Sequence, residues 1–205
     1  VFVATEFNLR KTTDGGNTWY VLPVKTNFFS RGMFLNNSDL WVTGFGISKN
    51  NLYKSIDGIN FDSTYSGLDW SENNCISGLS NGTIFITDRG FGTYRSFNNG
   101  IDWHQLLSGR GIWTIYAEES GTVLGGARDT LWYSSNFGDN WVALTTPLKG
   151  NSNVTEIKKD TYEQLYLGTY AEGLFELDII TSIEVDNNIS NNYHISQNYP
   201  NPFNP

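Results

Sequence analysis

The eight residues SSNFGDNW (134–141) decide how this chain is read, because three other segments repeat their pattern. TTDGGNTW (12–19), SIDGINF (55–61) and SFNNGIDW (96–103) align with it as Ser/Thr-x-Asp/Asn-x-Gly-x-x-Trp/Phe. Their third positions, 14, 57, 98 and 136, stand 43, 41 and 38 residues apart. A period of about 40 residues suits one four-stranded unit of a radial repeat. An Asp or Asn at the start of such a segment accepts nearby backbone N–H groups and closes a turn. Gly16, Gly100 and Gly138 supply the left-handed backbone that side-chain-bearing residues disfavour. Trp19, Phe61, Trp103 and Trp141 are then expected to pack as apolar plugs between neighbouring units. The second box is one residue short and has Ile59 near its glycine position, which predicts a different turn there.

Working outward, two further motifs recur in fixed order around the boxes. VFVAT (1–5), LWVTG (40–44), TIFITD (83–88), TVLGG (122–126) and QLYLGT (164–169) are β-branched and aromatic runs, and each reads as a strand. LRKT (9–12), LYKS (52–55), TYRS (93–96), LWYS (131–134) and LFEL (174–177) form a second strand family. The third unit gives the template. Cys75–Leu79 is a strand, Ser80–Gly82 a tight turn, Thr83–Thr87 and Thr93–Ser96 the next strands, and Asp102–Leu106 the outer one. The same layout fits 28–65, 112–144 and, without its last strand, 153–178, while residues 1–22 supply strands two to four of an earlier unit. The fold class is therefore all-β, a β-propeller of four-stranded antiparallel blades. About four to five blades are represented, with an incomplete ring and a longer parent expected.

Composition is consistent with this. The chain of 205 residues is 39% hydrophobic and 15% aromatic with 21 glycines, as a packed, turn-rich protein requires. Its formal net charge of −8 and lack of a basic cluster argue against nucleic acid. No apolar run is long enough for a transmembrane helix. Cys75 is the single cysteine and reads as a buried thiol without an internal disulfide partner. The chain starts at Val1 without a Met or signal pattern and stops at Pro205, so both ends read as cut.

The boxes resemble the Asp-box, or BNR, repeat of sialidases, other glycoside hydrolases, sortilin-type receptors and photosystem-assembly-factor-like propellers. The resemblance covers residues 1 to about 178. It implies that Asp14, Gly16, Trp19, Asp57, Phe61, Asn98, Gly100, Trp103, Asn136, Gly138 and Trp141 are structural. It also implies that the boxes lie between strands three and four, opposite the usual ligand face.

On that ligand face the expected loops offer Trp70, Asp88, Arg89, Arg110, Arg128, Asp129, Tyr170 and Glu172, with Asp69 and Phe91 beside them. Aromatic faces with charged groups around them form the mixture that a carbohydrate site uses. Catalytic residues are not assigned. Glycosidases use a spaced carboxylate pair, and the arginine-rich FRIP-type segment of sialidase propellers does not occur in these residues. Glu118 and Glu119 sit before Thr122 in a hairpin turn and are expected to face water. His104 and His194 lack a nucleophile motif, and neither metal-ligand spacing nor a calcium loop is seen, so no metal or cofactor is expected.

After Asp178 the repeats stop. Residues 179–196 read as an Asn- and Ser-rich linker. QNYPNPFNP (197–205) carries three prolines, which favour an extended or turning segment. This string resembles the opening motif of the type IX secretion C-terminal sorting domain of Bacteroidetes and their relatives, here truncated. Tyr199, Pro200, Asn201, Pro202 and Phe203 would then form an address read by the secretion machinery. The combined expectation is a secreted or outer-surface, non-catalytic propeller that binds glycan or an extracellular protein. The alternative is a sialidase-like or xyloglucanase-like glycoside hydrolase whose catalytic blades lie partly outside these residues.

Overall fold

The computed structural model describes residues 1–5, 8–23, 28–36, 39–46, 52–63, 73–88, 90–109, 111–144, 146, 148, 152–179 and 193–197. Every regular element among them is a strand. The first sheet contains β1 (Phe2–Ala4), β2 (Leu9–Lys11) and β3 (Tyr20–Val21). The second holds β4 (Phe28–Asn36), β5 (Asp39–Gly46), β6 (Leu52–Ser55) and β7 (Asp62–Ser63). The third holds β8 (Asn73–Gly78), β9 (Ile84–Asp88), β10 (Gly92–Ser96) and β11 (His104–Ser108). In the fourth are β12 (Thr114–Ala117), β13 (Val123–Gly126), β14 (Leu131–Ser134) and β15 (Val142–Leu144). The fifth comprises β16 (Val154–Lys159), β17 (Leu165–Thr169), β18 (Leu174–Ile179) and β19 (Tyr193–Gln197).

Each sheet is an antiparallel meander in chain order, and successive sheets stack face to face. The fold is a β-propeller whose five blades do not close a ring. The first blade has the expected three strands. The fifth departs from expectation, because β19 pairs with β18 along Phe175↔Gln197 to Ile179↔Tyr193 and supplies a fourth strand. Part of the segment read as linker is therefore an outer strand. An Asn- and Ser-rich run carries little strand signal of its own, and β18 offers an open ladder to pair with.

Four apolar clusters lie between consecutive sheets. Leu9 and Leu22 meet Leu40 and Val42, Trp41 and Leu52 meet Ile76 and Ile86, and Phe85 meets Ile115 and Val123. Leu124 and Leu131 pack on Val154, Leu167 and Phe175. The second, third and fourth blades thus bury one face against the blade before and the other against the blade after. Cys75 lies at the third interface, with its Sγ 3.9 Å from the Thr114 hydroxyl, and burial pushes the thiol pKa up.

The boxes occupy the turns between strands three and four, and their hydrogen bonds repeat. In each, a buried hydroxyl (Thr12, Ser55, Ser96 or Ser134) donates to the box Asp or Asn. The same hydroxyl accepts from a backbone N–H at Gly16, Gly58, Gly100 or Gly138. The box side chain then accepts from an amide beyond the turn, at Thr18, Asn60, Asp102 or Asn140. Gly16, Gly100 and Gly138 take positive φ as expected, but so do Asn99 and Phe137 just before two of them, each at 55°. The short second box differs as the missing residue predicts. It has one left-handed residue, Gly58, and Asp57 accepts from both Ile59 and Asn60.

Phe61, Trp103 and Trp141 pack against clusters built from two adjacent sheets, as plugs between blades would. Trp19 does not. Its ring is 38% exposed, with its indole N–H donating to the Gly16 carbonyl, because no sheet precedes the first one among the described residues.

Candidate functional site

The loops between strands two and three, and those leading into the next blade, lie at the end of the sheets opposite the boxes. At this end the fourth and fifth blades are tied together. The Val154 amide donates to the Ala127 carbonyl, and the Tyr170 amide donates to the Asn153 carbonyl. This places Arg128 and Asp129, in the turn after β13, on the same rim as Tyr170 and Glu172, in the turn after β17. Arg128 and Asp129 are exposed, and Tyr170 is 81% exposed. Glu172 is half-buried, and its amide donates to the Thr169 hydroxyl. The Asp129 carbonyl accepts from the Thr146 hydroxyl and so braces this turn against the strand-four exit.

Asp88 stands apart from that group. It ends β9, is 1% exposed, and its carboxylate accepts from the Gly90 and Phe91 amides. These bonds shape the loop that leaves Phe91 half in solvent. Trp70, Arg89 and Arg110, together with Asp69, lie outside the described residues, as do Tyr199 to Phe203.

Sequence reasoning missed Arg31. The β4–β5 pairing slips between Ser30 and Gly32, and this bulge leaves Arg31 exposed near the same end of an innermost strand. Similar slips between Asn73 and Cys75, and between Val154 and Glu156, recur in the innermost pair of the third and fifth blades. Bulges of this kind re-aim a side chain at a sheet rim. Nothing in residue type announces them, since they depend on the pairing of strands distant in sequence.

The opposite end holds a polar cleft of about 390 Å³ lined by Gly78, Leu79, Tyr116, Glu118, Glu119 and Lys159. Here the expectation for Glu118 is corrected, while Glu119 is exposed as expected. Glu118 accepts from the Tyr116 phenol at 2.9 Å and from Lys159 Nζ at 2.9 Å, and its side chain is only 22% exposed. Glu119 accepts from the Ser80 amide of the preceding blade at 2.6 Å. Glu118 is thus drawn against Lys159 of the next blade, while Glu119 bonds Ser80 and stays exposed. Burial alone would raise the Glu118 pKa, but the bonds from Lys159 and Tyr116 outweigh it and hold it below the usual range. Burial pushes the Tyr116 phenol up, and the bond to Glu118 adds to this. Lys159 is also paired with Glu163, and this bond, followed by the one to Glu118, raises its pKa. Among the described residues no group of three or more His, Cys, Asp or Glu side chains could hold a metal ion.

No protein-family model matches the sequence, and no curated protein matches it. Solved structures are similar to it in fold. An ancestral GH74 enzyme superposes with a TM-score of 0.72 at 15% identity, over 96% of this chain and 31% of that one. The extracellular domain of a hybrid two-component system from B. thetaiotaomicron gives 0.68 at 17%, over 89% and 27%. YCF48 bound to D1 peptide gives 0.62 at 15%, over 86% and 60%. The chain thus spans roughly three-fifths of YCF48 and under a third of the other two.

Proposed function

We propose that this chain belongs to a secreted or outer-surface, non-catalytic propeller that binds a glycan or an extracellular protein through the rim opposite its boxes. The observation that carries this reading is how two described carboxylates, one at a loop end and one in a cleft, are used. Asp88 caps its own loop. Glu118 is ion-paired and held ionised by Lys159 and Tyr116. A hydrolytic acid instead requires a carboxyl raised toward neutrality, and a partner carboxylate across the scissile bond. Exposed Arg128, Asp129 and Tyr170 on one rim suit recognition: a planar cation, an acceptor and an aromatic face. Extracellular domains and a peptide complex among the structural neighbours accord with such a role.

In this proposal the box segments are Asp-box repeats that hold blades together and touch no ligand. Residues 1–179 together with β19 form the propeller, and Tyr199, Pro200, Asn201, Pro202 and Phe203 begin a type IX sorting signal. Arg89, Arg110 and Trp70 are assigned to the same rim by the repeat. The test exposes the protein to a panel of sialosides and of plant and bacterial polysaccharides, with mass spectrometry following retained ligand and released sugar. Retention without cleavage, weakened at least tenfold by R128A or Y170A, is the expected result. Released sugar would overturn the reading in favour of a glycoside hydrolase. No interaction with any glycan would leave an extracellular protein as the ligand.

A further inference from the structure

Two adjacent residues at the rim, on the segment that enters the fifth blade, each carry a buried oxygen with no partner in the protein. Ser152 is 1% exposed and its Oγ makes no hydrogen bond, and the Oδ1 of half-buried Asn153 makes none either. Among the described residues, the other side-chain atoms in this condition belong to Trp41, Thr93, Arg95, Asn99 and Trp141, within β5 and β10 or in the boxes. Folded chains keep few such atoms, because a buried polar group without a partner has given up its hydration for nothing. A pair of them at a rim marks a place for hydrogen-bonding groups that the free chain does not supply.

The pair sits at the seam between the fourth and fifth blades. Beside it the Val154 amide donates to the Ala127 carbonyl at 3.0 Å, and the Asn153 carbonyl accepts from the Tyr170 amide at 2.9 Å. Its backbone is therefore held between the turn that carries Arg128 and Asp129 and the turn that carries Tyr170. The seam is close, since a Cβ built on Gly126 would fall 2.6 Å from a Val154 methyl. The two oxygens, by contrast, are bound to nothing. A turn about χ1 of Ser152, or about χ2 of Asn153, redirects them without breaking any bond that they make.

Their unmet capacity defines the guest. Asn153 Oδ1 can only accept, whereas Ser152 Oγ can both donate and accept. A carboxylate, sulfate or phosphate brings no proton for Oδ1 and sets its own lone pairs against it. An ammonium brings no acceptor for the Ser152 proton. A trans peptide holds its N–H and C=O on opposite sides, so one amide offers donor and acceptor in different directions. A sugar hydroxyl donates and accepts at a single atom, and a pyranose ring repeats that atom on neighbouring carbons. Tyr170, 81% exposed, offers an aromatic face for the sugar C–H groups. Arg128 and Asp129 are adjacent charges of opposite sign, which leaves their turn without a net preference for an ion.

We propose that Ser152 and Asn153 form the polar floor of the ligand rim, and that they select a neutral sugar over an anionic one. This rests on the rim reading above and narrows it to one ligand class.

The test uses the whole chain and the variants Ser152→Ala and Asn153→Ala. Xyloglucan, laminarin and mannan are the neutral probes, and polygalacturonate and sialyllactose the anionic ones. Affinity is read by isothermal titration, and stability by chemical denaturation without any probe. Binding of at least one neutral probe is expected, tenfold or more weaker in each variant, with denaturation midpoints equal to or above that of the parent. Deleting an unpartnered buried oxygen removes no bond from the free protein, so lost affinity without lost stability is the signature. A lowered midpoint with unchanged affinity would mean that the oxygens hold a structural water only, and would overturn the proposal. Binding confined to the anionic probes, weakened by Arg128→Ala or Tyr170→Ala but by neither variant, would also overturn it while leaving the rim reading intact. If no probe binds, the sugar class is wrong and the proposal falls, with a protein ligand left for the rim.

Discussion

At the scale of single residues, the box hydroxyl does more than the motif suggests. Ser96 is fully buried, donates to the Asn98 side chain and accepts from the Asn98 and Gly100 amides, so its removal takes the acceptor from two backbone N–H groups at once. Ser96→Ala is expected to cost about 1–3 kcal/mol, read from chemical denaturation of the whole chain. Gly100 is constrained twice, by φ 81° and by Trp41, whose ring would lie 2.5 Å from an added Cβ. Gly100→Ala should therefore destabilise by at least about 1–3 kcal/mol, and a smaller loss in the double variant with Trp41→Phe would locate the clash. The boxes also differ in their response to acid. Bonds from the Thr18 side chain and amide hold the Asp14 carboxyl well below its ordinary value, and amides of Asn60 and Ile59 do so for Asp57. A depressed folded-state pKa stabilises above the unfolded carboxylate range and is lost as pH falls through the folded value. Boxes three and four carry Asn98 and Asn136, which do not titrate. Below about pH 4 the first two turns should loosen before the third and fourth, seen as faster intrinsic-rate-corrected amide exchange at 14–18 and 57–60. Asp57→Asn should remove the acid sensitivity of the second turn alone.

At the scale of elements, Lys11 and Arg95, near the ends of the third strands of the first and third blades, each donate to a carbonyl of the next blade. Arg95 is almost buried, bonds the Phe137 carbonyl at 2.6 Å and pairs with Asp139 at 2.8 Å. Arg95→Met keeps much of its packing and removes both bonds, leaving the carbonyl of a left-handed residue without its donor. A loss of about 1–3 kcal/mol is expected, with faster exchange concentrated at 136–141 and not within the third sheet. Uniform loosening of both blades would mean that Arg95 acts through its own sheet instead. This coupling was partly legible in the sequence, since Lys11, Lys54 and Arg95 hold the same motif position. What they touch was not, because the acceptor lies some forty residues away and its carbonyl is aimed by backbone φ. The same holds for the first-strand bulges that expose Arg31, and for Glu118, whose partner Lys159 comes from the next blade.

At the scale of the whole molecule, β19 completes the last blade of the stack. Deleting residues 193–205 strips β18 of its pairing strand, exposing a ladder edge from Phe175 to Ile179. Faster exchange across β18 and a concentration-dependent tendency to aggregate are expected, with β13 and β14 unchanged. If β18 keeps its protection, β19 is dispensable to the blade. The repeat period, the strand family and the box turns were determined by the sequence alone, because each rests on local chemistry: β-branched alternation, side-chain caps and left-handed turn residues. Only the tertiary structure decided which rows face each other, where the cations end, that Glu118 pairs with Lys159 of the next blade and that a tail strand joins the last sheet. Those outcomes depend on register and on neighbours a full blade distant, where no short-range propensity reaches. They also divide the expected ligand residues, setting Asp88 to cap a loop while Arg128, Asp129 and Tyr170 stay exposed at the rim.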